Sequence, residues 1–422
     1  MSPTLVLLIS FFVLCLIRVP IAVSLGLASL FSLSMIDFTM YAVIQKMFTS
    51  VSSSALMAIP GFIFAGIIMS KGGISFHLIA ALRSWIGHFR GGLALVTIFA
   101  CMIFAAISGS SPATAAAVGA IMIPAMVEAG YSKRYSMGLV AAAGTLGILL
   151  PPSIPLIIYG VVSEQSIGDL FTAGILPGLF LGSLLVISAV INARINNYGT
   201  LPKESMRERM RKSRKAIWGL VLPFLILGGI YTGVMTPTEA SFMAVLYSVI
   251  ISVFVYKEMK IPLFGKIVKE SINVTAMIFL IIAAANIFGM FLTTEQIPQL
   301  ATEWIQSSAA NVWIFLIAVN LMFFVLGMFL DAVSIILITL PILLPILALF
   351  DLNLIHFAII MTINMELGMI TPPVGLNLFV VSGITREKIG NVVQGVLPFY
   401  AVLVVGLVIV IAFPAISLWL IQ

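Results

Sequence analysis

Charge is scarce in this 422-residue chain: Asp, Glu, Lys and Arg make up 9% of it, against 61% hydrophobic residues. A soluble globular domain carries roughly 25% charged residues, so the chain lacks the ions to cover a water-facing surface. Its solvent is mostly lipid. Histidine is nearly absent, and His77, His88 and His356 all sit at segment edges, far in sequence from Ser108 and Ser111. That removes the base an intramembrane serine protease needs. Asp331 is the one aspartate deep in an apolar run, so the facing pair of an intramembrane aspartyl protease is missing. No Gly-x-x-x-x-Gly-Lys loop occurs, which excludes ATP hydrolysis by the chain itself. The two cysteines, Cys15 and Cys101, lie inside apolar runs and support neither a disulfide framework nor a metal site. No basic segment precedes the first apolar run, and Arg18 follows it, so that run reads as a retained span rather than a cleaved signal.

What is present is a series of long apolar runs, at about 4–17, 21–36, 53–70, 92–127, 136–162, 173–193, 216–234, 240–256, 272–293, 312–350, 355–382 and 393–420. At roughly 20 residues per helical span the chain has room for about a dozen crossings and no sizeable soluble domain. The runs are continuous, as from Ile217 to Gly233, rather than alternating, so helices are expected and a membrane β-barrel is not.

Two runs, 92–127 and 312–350, are too long for one span and are interrupted by small, polar or proline residues. Each is expected to be a re-entrant helical hairpin. Charge tests the idea. With the N-terminus outside and both hairpins re-entrant, 20 of the 21 basic residues fall inside and only Lys46 outside. Asp37, Glu164, Asp169, Glu239, Glu295, Glu303 and Asp351 fall outside. This is the asymmetry of the positive-inside rule, and turning either hairpin alone into a crossing would destroy it. The net charge of +6 is therefore a topology signal, and no nucleic-acid partner is expected. Residues 74–90 suit an amphipathic helix in the inner interface and 296–309 one in the outer interface. The polar, basic stretch Tyr198–Lys215 reads as a linker near the middle of the chain.

The two halves repeat at a constant spacing of 221. Pro124 pairs with Pro345, each closing a hairpin. Leu146-Gly147-Ile148-Leu149-Leu150-Pro151-Pro152 pairs with Leu367-Gly368-Met369-Ile370-Thr371-Pro372-Pro373, and Gly174-Ile175-Leu176-Pro177 with Gly395-Val396-Leu397-Pro398. The number of crossings between them makes the repeat inverted. Inverted repeats with broken helices are the signature of secondary transporters, with substrate held near the midplane between the repeats.

The chemistry concentrates at the hairpin tips and helix breaks. The first tip reads Ser108-Gly109-Ser110-Ser111-Pro112-Ala113-Thr114. Pro112 fits the first turn of a returning half-helix whose free N–H groups would face an anion. The Pro151-Pro152 break frees backbone carbonyls, and carbonyls with hydroxyls make a hard-oxygen site suited to Na⁺. Small residues and prolines of this kind also serve close helix packing and kinks. The second tip reads Gly327-Met328-Phe329-Leu330-Asp331-Ala332-Val333-Ser334, and the second break spans Asn364 to Asn377. Asp331 and Glu366 are the only acids deep in apolar runs. Such residues cost roughly 2.5–3.5 kcal/mol on insertion scales and are functional candidates by default, although a carboxyl held in a hydrogen-bond network is the plainer alternative. Expected sodium ligands are Ser108, Gly109, Ser111, Gly147 and Pro152 at one site, and Gly327, Asp331, Ser334, Gly368 and Thr371 at the other. Expected substrate contacts are Ser110, Ser111, Pro112, Thr114, Ser153, Glu366 and Asn377. No Lys or Arg lies deep in any span to clamp a carboxylate, and an ion channel lined by paired hairpins remains an alternative to a carrier.

At Gly147-Ile148-Leu149-Leu150-Pro151-Pro152-Ser153-Ile154-Pro155 and Thr371-Pro372-Pro373-Val374-Gly375-Leu376-Asn377 the chain resembles the large membrane subunit of tripartite ATP-independent periplasmic (TRAP) transporters. The tip Ser108–Ala115 and the segment Thr236-Pro237-Thr238-Glu239-Ala240-Ser241 look similar too, and the likeness runs essentially end to end. It implies an all-α polytopic membrane protein with two re-entrant hairpins and two broken helices, working by an elevator motion. It implies a bacterial inner-membrane importer driven by a Na⁺ gradient, with no other cofactor. The substrate class would be a C4-dicarboxylate, a sugar acid or a sialic acid. Two partners are implied, a small four-helix membrane subunit and a periplasmic binding protein. The absence of extra N-terminal helices suggests a separate small subunit. The expected division is 1–91 and 164–310 scaffold, 92–163 and 311–383 transport domain, and 384–422 the last scaffold helix. A stand-alone sodium/dicarboxylate symporter is the nearest rival.

Overall fold

The computed structural model describes residues 2–36, 38–308 and 311–421; Asp37, one of the expected outer charges, lies outside the described residues. Among the described residues all regular structure is helical. Near the start come α1 Pro3–Leu16 and α2 Ile21–Ser34, which pack on each other, then α3 Met40–Val51 and α4 Ala58–Lys71, bent 58° apart. Helix α3 is not among the expected elements. Its apolar residues Val43, Met47 and Val51 recur on one face and only Val43 is buried, so no long run announces it. Helix α5, Ile74–Ile86, occupies the stretch expected at 74–90 to be an amphipathic helix.

The first long run forms α6, Gly92–Ser108, and α7, Ser111–Glu128. Gly109, at φ +59°, ends α6 in a left-handed turn open to glycine. Ser110 is extended, and Pro112 sits in the first turn of α7, where a missing N–H costs nothing. After α8, Lys133–Thr145, the chain makes one 3₁₀ turn, passes a cis Pro151–Pro152 bond and starts α9, Ile154–Ser163. Ser153 caps α9 by accepting from Leu156 N at 3.3 Å. Helices α10, Ile167–Ile195, α11, Met206–Tyr231, α12, Pro237–Ile250, α13, Ile261–Thr294, and α14, Ile297–Ser307, follow. The basic stretch is linker only as far as Ser205. That residue caps α11 at Glu208 N (3.3 Å), and Glu208 pairs with Arg211 one turn on (2.6 Å), so the polar segment continues the apolar helix.

The second half repeats the first. Helices α15, Val312–Gly327, and α16, Ala332–Leu349, form the second hairpin. They are followed by α17, Leu354–Met369, a break with a cis Pro372–Pro373 bond, α18, Leu376–Thr385, α19, Ile389–Ala412, and the short α20, Ala415–Leu418. Both α7 and α16 are 18 residues long and start 221 positions apart, as do α8 and α17. Pro124 and Pro345 occupy equivalent places inside α7 and α16 rather than their ends. The packing is reciprocal: α9 lies on α16 while α18 lies on α7, and α19 lies on α8 while α10 lies on α17. Such exchange is what a twofold relation between halves produces. Among the described residues seven helices are long and apolar enough to cross a membrane, or eight with the bent pair counted as one span. The half-helices on either side of each break fall short of that length separately, since ten residues at 1.5 Å each reach about half of the hydrocarbon core.

Candidate functional site

Each hairpin tip is seated on the break of the broken helix in its own half. In the first half, Gly109 O accepts from Ile154 N at 3.4 Å. A Cβ placed on Gly147 would stand 2.8 Å from both Ser110 O and Thr114 Oγ1, so only glycine lets the tip settle there. Thr114 Oγ1 donates to Ser110 O (2.8 Å) and shares a 3.0 Å bond with Ser108 Oγ. Ser108, Ser111, Thr114 and Ser153 are all buried. Ser153 Oγ donates to Ile148 O across the break. The result is a knot of hydroxyl and carbonyl oxygens between tip and break, with Pro152 O standing where a side chain on Gly109 would reach.

In the second half Gly327 and Gly368 touch backbone to backbone, and Met328 O accepts from Val374 N (3.2 Å) and Gly375 N (3.3 Å). Thr371 Oγ1 donates to Leu367 O at 2.6 Å. Asp331 caps α16. Its Oδ2 accepts from Val333 N (3.1 Å) and Ser334 N (3.4 Å), and its Oδ1 accepts from Ser334 Oγ (2.5 Å). The carboxylate is half-buried, so part of its valence faces open space.

That space is a cavity of about 330 Å³ on which both tips converge. Ser108, Gly109, Ser110, Ser111 and Pro112 line one side and Asp331 another, with Ile63, Gly66 and Ile67 of α4 and Glu270 and Met277 of α13 closing it. Of the residues the sequence put forward, these six meet there. Thr114, Ser153, Gly147, Pro152, Gly327, Ser334, Gly368 and Thr371 are set behind the tips and shape them. Asn377 is set back too: its Nδ2 donates to Ser111 Oγ (2.8 Å) and Ala141 O (3.0 Å), tying α18 to the opposite hairpin. Glu366 is wholly buried with the Thr145 side chain as its polar neighbour, and among the described residues neither carboxyl oxygen has a partner at normal hydrogen-bond geometry. Glu270 is the functional candidate that sequence reasoning missed. It pairs with Lys71 of α4 and lines the cavity. It lies just ahead of the apolar run at 272–293, beside Lys266 and Lys269, whereas α13 is helical from Ile261 onward and carries it to the cavity.

No group of three or more His, Cys, Asp or Glu side chains gathers among the described residues, so the donors here are hydroxyls, carbonyls and single carboxylates. The family described as the DctM component of tripartite ATP-independent periplasmic transporters matches residues 8–416. The chain belongs to this family. It is thus a membrane component of a three-part bacterial transporter that does not use ATP, and it is not an enzyme. The TRAP large permease of Pseudomonas aeruginosa named for C4-dicarboxylate is 46% identical over 88% of this chain and 87% of its own. An isethionate TRAP permease of Oleidesulfovibrio alaskensis is 41% identical over 96% of this chain and 64% of its own length. The ectoine TRAP large permease of Halomonas elongata is 38% identical over 90% and 89%. Among solved structures the Alcanivorax borkumensis YdaH transporter shares the fold, with a TM-score of 0.63 over 99% of this chain and 98% of its own at 16% identity. The multi-pass, all-helical fold expected of this TRAP permease is therefore what the chain adopts.

Proposed function

We propose that this TRAP permease imports a small organic acid in symport with Na⁺, by an elevator motion of its hairpins and broken helices. The observation that carries the reading is the convergence of two oxygen-lined hairpin tips on one 330 Å³ cavity. Residues 92–163 and 311–383 form the moving transport domain, and 1–91, 164–310 and 384–422 the scaffold. Sodium is cargo here, held once between the Ser108–Ser111 tip and the Gly147–Pro152 break, and once between Gly327, Asp331 and Ser334 and the Gly368–Thr371 break. Oxygen donors without a ring nitrogen or thiolate suit a hard, singly charged cation. The acid occupies the cavity beside Ser110, Ser111 and Pro112, where the free N–H groups of α7 face it. C4-dicarboxylates are the first class to test, sialic and sugar acids the next. Asn377, Thr114 and Ser153 act on substrate through the first tip and the break beneath it, and Glu366 acts from its buried place in α17 rather than by contact.

The basic residues set the cytoplasmic side, the N-terminus is periplasmic, and the membrane is the bacterial inner one. Glu270 lies near the Lys260–Lys269 end of α13, so this arrangement is inward-facing. The partners are a small four-helix subunit on the scaffold and a periplasmic binding protein that delivers the acid. The outer loops are too short to form a capture domain themselves.

The test is uptake into proteoliposomes holding the chain, the small subunit and the binding protein, each omitted in turn. Uptake should require all three and an inward Na⁺ gradient. Full-rate uptake by the chain alone would leave a stand-alone symporter, unsaturating current a channel, and uptake following pH without Na⁺ a proton carrier.

A further inference from the structure

A second cavity lies away from the hairpin tips, between the amphipathic helix α5 and the first turns of α11, with Ile121 of α7 at its side. Its volume is about 370 Å³. Four cations line it, Arg83, Arg211, Lys212 and Lys215, against one carboxylate, Glu204. Glu204 is already occupied: both of its oxygens accept from Lys212 Nζ, at 2.5 and 2.6 Å. Arg211 is held by Glu208 at 2.6 Å. The side chains of Arg83 and Lys215 have no ion-pair or hydrogen-bond partner among the described residues, although both border the cavity. His77, on the same wall, lies 3.6 Å from Glu258 Oε1, and burial, reinforced by Lys215 and opposed by Glu258, holds its imidazole below the ordinary value.

The other walls are apolar, and that decides between ligands. Phe76 is 56% exposed at the cavity, Trp85 is exposed in the last turn of α5, and Phe89 is exposed just beyond it. Exposed aromatics along a surface helix mark the depth of lipid headgroups. Trp85 is further fixed by Arg209, whose guanidinium lies 5.5 Å over its ring. A soluble anion would use the cations and leave Phe76 and the partly exposed Ile121 facing water. A molecule with a phosphodiester at one end and acyl chains at the other satisfies both walls at once.

We propose that this cavity binds the headgroup of an anionic phospholipid, its phosphate on Arg83 and Lys215 and its acyl chains along Phe76 and Ile121. Because Ile121 belongs to the first hairpin and Arg83 to α5, the bound lipid bridges two parts of the fold. Which leaflet supplies it rests on the orientation proposed above; occupancy itself does not.

The experiment is native mass spectrometry of the full-length chain in detergent, titrated separately with phosphatidylglycerol and phosphatidylcholine. One phosphatidylglycerol should be retained per chain in preference to phosphatidylcholine. The Arg83→Gln/Lys215→Gln double variant should lose that retention by roughly tenfold or more, given the contribution of two basic residues at a headgroup. Arg83→Lys/Lys215→Arg should keep it. Millimolar inorganic phosphate should not displace the lipid. Equal retention of the two lipids, displacement by inorganic phosphate, or an unchanged double variant each overturns the proposal. If the double variant does not fold, the comparison of lipids on the unaltered chain still decides. Lipid retention in a chain that fails sodium-dependent uptake would sink the transport reading and leave this one standing.

Discussion

Gly327 and Gly368 meet so closely that a Cβ on Gly368 would lie 2.5 Å from Gly327 Cα. The contact joins the second hairpin tip to the helix break it rests on. Gly147 does the same for the first tip, where a Cβ would strike Ser110 O and Thr114 Oγ1 at 2.8 Å. None of these is a flexible side-chain end that could swing away; two of the three atoms are backbone, and Thr114 Oγ1 is bonded in place.

Gly368→Ala and Gly147→Ala should therefore each push a tip off its break. Overpacking of this kind costs about 1–3 kcal/mol, enough for a roughly tenfold or greater fall in sodium-dependent uptake. Gly265→Ala is the control, since nothing lies within 4 Å of a Cβ there. Uptake measured in proteoliposomes at equal protein density should separate them. Equal activity in all three variants would show that tip and break need not touch.

Asp331 has two roles to separate, helix cap and ion ligand. Asparagine caps a helix about as well as aspartate, so Asp331→Asn should leave thermal stability almost unchanged. It removes the charge that a sodium ion would see at the cavity. The sodium concentration for half-maximal uptake should rise by roughly tenfold, as expected for one lost charge-assisted contact. An unchanged sodium dependence would confine Asp331 to capping α16.

Lys71 and Glu270 form an ion pair across 199 positions of sequence, with side chains 40% and 44% exposed. Exposure on that scale makes the pair worth little to stability. Its weight is electrostatic: without Lys71, the cavity meets an uncompensated carboxylate. Lys71→Gln should raise the KM for an organic anion severalfold with little change in melting temperature, and Lys71→Gln/Glu270→Gln should restore it. A double variant as poor as the single one would show that the pair acts by packing.

Glu239 is one of the acids assigned to the outer face, where a solvated loop charge and a contact for a partner are both open, and its neighbours in the fold give it a local duty. Thr236 N donates to Glu239 Oε2 (2.8 Å) and Glu239 N donates to Thr236 Oγ1 (3.2 Å), a complete capping box for α12. Thr238 Oγ1 donates to Ser54 O (2.8 Å), and Ser241 sits against Gly61 of α4. The Thr-Pro-Thr-Glu-Ala-Ser segment thus starts α12 and seats it. Glutamine completes the same box, so Glu239→Gln should preserve both stability and uptake, while Glu239→Ala, which removes one half of the box, should lower the melting temperature. A large effect of Glu239→Gln on delivery by the binding protein would give the residue a docking role.

The sequence alone determined whatever is written along one dimension. The scarcity of charge fixed lipid as the solvent. The lengths of the apolar runs and their interruptions marked the hairpins, and the spacing of 221 carried over into the helix boundaries, with α7 and α16 equal in length. Local chemistry was legible as well, from Gly109 at a turn to Pro112 in a first helical turn. The tertiary structure decided everything that depends on reach between segments. Periodicity says which face of a helix is apolar, not which helix will meet it, so nothing in the sequence joined Asn377 to Ser111 or Lys71 to Glu270. The same limit hid α3 and the helical start of α11, whose short or polar faces are stabilised by neighbours rather than by their own hydrophobicity. It also left Glu366 a candidate for substrate contact, because depth in an apolar run is visible in sequence, whereas distance from a cavity is set only when α17 packs against the rest of the fold.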